Sequence, residues 1–168
     1  MPAMDEEAEL LMAVYARFGL AMHYCAMIEW DVLTLMMASR MKRSVRLDLS
    51  NVTALLEGAY KDTIDRLIAD LREDVAVTPL LSGELHGAFE IRRRLVTGYF
   101  RERALDLLST EGRLRMLKEM NGACTMLQTV HERATALTAD LAQKHGIGKD
   151  VILEELRRLM GMTSAEVS

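Results

Sequence analysis

Residues 5–40 read DEEAELLMAVYARFGLAMHYCAMIEWDVLTLMMASR. Leu11, Val14, Phe18, Ala21, Cys25, Ile28, Val32 and Leu35 recur in steps of three and four, the period of one face of an α-helix. The spacing predicts a helix from about Asp5 to Arg40 carrying a heptad-like stripe. The other side is apolar as well, with Leu20, Tyr24, Met27, Leu33 and Met37. A helix that is apolar nearly all round needs cover nearly all round. Neighbouring helices of one small bundle cover one side readily and two sides with difficulty, so a homodimer is expected.

The run from Phe18 to Ala38 is long enough to raise the question of a membrane span, but Glu29 and Asp31 stand near its middle. An Asp at the centre of a bilayer costs about 2.5–3.5 kcal/mol even on a lenient scale. The sequence therefore argues for a helix covered by protein and against a span. The opening residues MPAMDEEAEL are acidic where a secretory signal would be basic. Cys25 and Cys124 are about a hundred residues apart and fit no metal-ligand spacing, so two free buried thiols are expected. Together these features predict a cytoplasmic protein.

Outward from the first helix, the pattern remains helical. The chain has 168 residues, 50% of them apolar and 27% charged, the composition of a folded globular domain. It carries two prolines, no repeat and no linker-like stretch, so residues 1–168 are expected to form one domain. A second helix fits Val52–Arg72, buried through Leu55, Leu56, Tyr60, Ile64, Leu67, Ile68 and Leu71, after a turn at Asp48, Ser50 and Asn51. A third starts at Thr78-Pro79, where Pro suits the first helical position. It continues to about Leu108 with a bend at Thr97-Gly98. Ser109 to Gly112 form a turn and cap, and a fourth helix runs from Arg113 to about Lys144, stopped by His145 and Gly146. Asp150 caps a short final helix, Val151–Met160. The fold class is all-α: four main helices plus a short C-terminal helix, connected up-and-down because the intervening segments are short.

The chemistry is narrowed by elimination. No glycine-rich phosphate loop and no Glu-x-x-His pair is present, so nucleotide-hydrolysing and di-iron chemistry are not expected. His86 and Glu90 stand four apart, as an exposed hydrogen-bonded pair would. No metal and no cofactor are expected. The net charge of −4 advertises no general affinity for nucleic acid. The Arg17 and His23 pair is six residues apart, which points the two side chains about 120° from each other on a helix.

One feature departs from the binary pattern. Leu85, Ala88, Arg92, Val96, Tyr99 and Arg103 share one side of a helix, so Arg92 projects among apolar neighbours and calls for a partner. Glu29, on the apolar first helix, has the complementary need. The two are expected to form a structural polar pair, with escape of the Arg92 guanidinium to solvent as the alternative.

The segment Gly87-Ala-Phe-Glu-Ile-Arg-Arg-Arg-Leu-Val-Thr-Gly-Tyr-Phe-Arg-Glu-Arg103 resembles the signature helix of HEPN (higher eukaryotes and prokaryotes nucleotide-binding) domains. Gly19–Glu29 is similar to their long opening helix, and Thr63–Leu71 and Ser109–Met116 extend the likeness. The resemblance implies a helical bundle, commonly dimeric, in a family many of whose members are metal-independent ribonucleases of toxin–antitoxin or antiviral systems. Their motif is an Arg followed after four to six residues by a His. Here Arg92 takes the Arg position, Arg93 stands where Asn is common, and Thr97 occupies the place of the His. A hydroxyl does not titrate near neutral pH, so the group that would assist proton transfer is missing. The resemblance then implies a degenerate, non-catalytic, dimeric binding or regulatory module, with a protein or RNA as further partner. Arg92, Arg93, Arg101, Arg103 and Tyr99 are the residues it offers for contact. A ribonuclease that acts without the His and a purely structural bundle are the competing expectations.

Overall fold

The computed structural model describes residues 2–42, 69, 79–146 and 148–159. Helix α1 spans Pro2–Lys42, α2 Pro79–Thr97, α3 Tyr99–Glu102, α4 Thr110–His145 and α5 Lys149–Leu159, with a 3-10 turn at Asp106–Leu108. Among the described residues there is no strand, and the fold is all-α. The helix expected over Val52–Arg72, its preceding turn and the Thr78 cap lie outside the described residues.

Two compact units are formed, one from Met1–Ile28 and Glu84–His131, the other from Glu29–Gly83 and Glu132–Ser168. In the first, the stripe of α1 is buried through Val14, Ala21, Cys25 and Ile28. Leu85, Ala88, Phe89, Leu95 and Tyr99 are buried from α2 and α3, and Met116, Met120, Cys124, Leu127 and Val130 from α4. Cys25 and Cys124 are both free and buried. The Cys124 thiol donates to the carbonyl of Arg17 at 3.4 Å, and burial raises its pKa.

In the second unit, Val32, Leu33 and Leu35 of α1 are buried, as are Leu81, Ala134 and Leu141. Asp31 is buried with them and accepts a hydrogen bond from Thr135 Oγ1 at 3.2 Å. By length and composition alone, Glu6–Leu35 of α1 would suffice to cross a membrane, a test that the core helix of a soluble protein also passes.

Several boundaries and one buried face differ from the sequence expectation. The third helix ends at Thr97 and gives way at Gly98 to the single turn α3. Beyond Glu102 the chain tightens, with Leu108 N donating to Leu105 O and Ser109 N to Asp106 O. Leu105 and Leu108 are 82% and 77% exposed, so no core holds this stretch in an α-helix. Helix α4 opens at Thr110 and not at Arg113, because Ser109 caps it. The Ser109 hydroxyl accepts from Gly112 N at 3.1 Å and its carbonyl from Arg113 N at 3.0 Å. Its other end is as expected: Gly146 takes φ +62° immediately after the helix, a conformation that favours glycine. The last helix opens at Lys149, so Asp150 does not cap it as expected but falls within the first turn of α5, where a carboxylate suits the positive helix end. Finally, the buried side of α2 includes Leu95, while Val96 is 56% exposed.

Candidate functional site at the break between α2 and α3

The break at Gly98 turns the chain so that arginines from α2 and from just beyond α3 converge on one carboxylate of α4. Glu119 accepts from Arg94 Nη1 at 2.5 Å, Arg103 Nε at 3.1 Å and the Tyr99 hydroxyl at 3.4 Å. Arg94 also donates through Nε to Glu102 at 3.0 Å, and its guanidinium lies 5.6 Å from the centre of the Tyr99 ring. Arg103 continues the network to Asp106, which accepts from Arg115 at 2.8 Å. Arg115 in turn pairs with Glu111.

The electrostatics follow from these contacts. Hydrogen bonds to Glu102 and Glu119 raise the pKa of Arg94 further above its ordinary value. The hydrogen bond from Arg115 holds Asp106 below the usual carboxylate range. Burial, with the Glu119 charge adding to it, pushes the Tyr99 hydroxyl up to about 12. Absorbance titration of the phenolates should therefore show an ionisation near pH 12, and Tyr99→Phe should abolish that step. Because the folded value is the higher, the stability that the Tyr99 hydroxyl contributes is fully present below pH 10 and is lost as pH rises from about 10 to 12. A titration near pH 12 that Tyr99→Phe leaves unchanged would refute this environment.

The structure places the motif positions as follows. Arg92 is half-buried on α2, and Glu29, in the other compact unit, is half-buried on α1. Arg93 is exposed and forms a two-pronged pair with Glu90, at 3.0 and 2.8 Å. The Thr97 hydroxyl donates to the carbonyl of Arg93 at 2.8 Å, a bond within its own helix. Arg101 is exposed. Tyr99 is 1% exposed, and its ring stacks at 6.1 Å from Phe18, so it is core and offers no face to a base. A hollow of about 330 Å³ beside Thr97 is lined by Glu90, Ile91, Arg93, Arg94 and Glu102. A second, of about 310 Å³, lies between α2 and α4 against Arg94, Tyr99, Glu119 and Met126.

Glu119 is the residue that sequence reasoning missed. It directly precedes Met120, at the edge of the buried stripe of α4, and four arginines within residues 92–101, together with Arg103, signal that such a carboxylate is needed. Among the described residues no group of three or more His, Cys, Asp or Glu is placed to hold a metal ion. Compared with known proteins, the chain matches no family model, no curated protein and no solved structure.

Proposed function

We propose that this chain is a non-catalytic, HEPN-like helical domain of the cytoplasm that works by association, as a dimeric binding or regulatory module. What carries the reading is the state of the motif positions. Thr97, where the resemblance expects a His, is tied to its own helix through the Arg93 carbonyl. Arg93, Arg94 and Arg103 are each engaged by carboxylates of the same chain. A phosphate entering the hollow beside Thr97 would meet Glu90 and Glu102 as well as the two arginines there. Charge-assisted contacts to nucleic acid rest on cations free to replace counterions, and at Arg93, Arg94 and Arg103 those cations already face carboxylates of the chain.

Self-association is supported by α1. Met12 and Tyr15 are 67% and 46% exposed, and Arg17 is the lone charged residue from Met12 to Ile28. Soluble helices ordinarily place charges on such a face. Any further partner is a protein or an RNA of the kind of system the resemblance implies.

The test is RNA cleavage in chelator-containing buffer by the wild type and by Arg92→Ala. Neither should cleave above the protein-free rate. Cleavage by the wild type that falls at least a hundredfold in Arg92→Ala would establish the ribonuclease reading in place of this one.

A further inference from the structure

The exposed side of α1 bears a pattern that selects its own copy as partner. Met12, Tyr15, Ala16, Gly19, His23 and Ala26 are exposed and, at 100° per residue, fall within about 60° of Gly19 on either side, along about 21 Å of helix. They form an uncharged seam. At 100° per residue Arg17 falls on the far side of the helix from Gly19, so no charge interrupts the face.

We infer that two copies of this chain pack antiparallel along α1, with Gly19 on the twofold axis. The inference rests on the self-association proposed above and specifies its surface. In an antiparallel pair centred on residue 19, position i comes level with position 38 − i of the other copy. Met12 then lies level with Ala26, Ala16 with Met22, and Tyr15 with His23. Each large aliphatic group meets a small one, and the two rings meet each other. Gly19 meets Gly19, where the backbones approach most closely and a side chain would hold them apart. A parallel pair would instead set Met12 on Met12 and His23 on His23, bulk against bulk. The contact is isologous and closes on itself, so it ends at a dimer.

Gly19 also supplies the decisive variant, because a Cβ added there meets nothing within 4 Å in the single chain. Gly19→Leu should keep the helical circular dichroism of the wild type and lose the dimer. In sedimentation the particle should fall from two chains to one at micromolar concentration, a rise of at least tenfold in the dissociation constant. Gly122→Leu, equally open but on α4, should stay dimeric. Cys25 and Cys124 are buried, so oxidation reports on introduced thiols. Met12→Cys with Ala26→Cys should give a covalent dimer, and either change alone should not.

The outcomes separate the two claims. A dimer that survives Gly19→Leu, or a covalent dimer from Met12→Cys alone, overturns this interface and leaves self-association standing. A wild-type monomer overturns both. A wild-type monomer that floats with phosphatidylcholine vesicles assigns the seam to a membrane surface instead.

Discussion

Tyr99→Ala should lower the unfolding free energy by about 3–5 kcal/mol, the range for removing a large buried aromatic. Tyr99 is among the largest fully buried side chains. Phe18 and Phe100 lie 6.1 and 5.5 Å from its ring, the Arg94 guanidinium stands over one face, and its hydroxyl reaches Glu119. Truncation would leave a cavity where α1, α2 and α4 supply the surrounding groups. Domains are commonly stable by 5–15 kcal/mol, so this single change removes a large share. Tyr99→Phe keeps the ring and gives up only a 3.4 Å bond, while Arg94 and Arg103 still satisfy Glu119. It should cost about 1 kcal/mol or less. Urea unfolding of the two variants measures both values. An alanine variant within 1 kcal/mol of the wild type would show that the ring is not the keystone of this unit.

That ring was legible in the sequence as an apolar position; its partners were not. Helix periodicity is a local property, and it located the α1 stripe, where Val14, Ala21, Ile28, Val32 and Leu35 are each at most 1% exposed. It also placed the stop at Gly146, and at Gly98 it put a bend where the structure has a break. Spacing carries less information where a helix ends, because the buried face is then set by whatever packs against it. Leu95 is inward and Val96 outward, against the face drawn through Val96, because Leu95 stands seven residues from buried Ala88 and four from buried Tyr99. The ion network was out of reach for a related reason. The four arginines at positions 92, 93, 94 and 101, with Arg103, announce a need for carboxylates, but Glu119 is 16 residues beyond Arg103 and only the tertiary fold brings it near. Exposed ion pairs contribute about 0–1 kcal/mol each, so selection on stability leaves a faint trace of them in a single sequence. The Thr at position 97, where the proposed resemblance expects a His, by contrast, needed no structure to be read.

A second large effect is expected at a residue whose importance no periodicity reveals. Gly112 lies in the first turn of α4, where the Asp106–Leu108 turn folds back upon it. A methyl group added there would overlap the carbonyl oxygen of Asp106 and come within 2.7 Å of its Cα and carbonyl carbon. These are backbone atoms and cannot rotate away. Asp106 is also fixed by Arg103 and Arg115, so moving it breaks ion pairs and pulls on the Ser109 cap that holds Gly112 N. Overpacking and cap loss together should cost about 2–4 kcal/mol in Gly112→Ala. Gly122, ten residues along the same helix, is exposed and has nothing within 4 Å of the added carbon. There the same substitution should stabilise by about 1 kcal/mol, since glycine disfavours a helix interior by that amount. Opposite signs for one chemical change on one helix isolate the close approach as the cause. Equal shifts in the two denaturation midpoints would show that the turn does not press on Gly112.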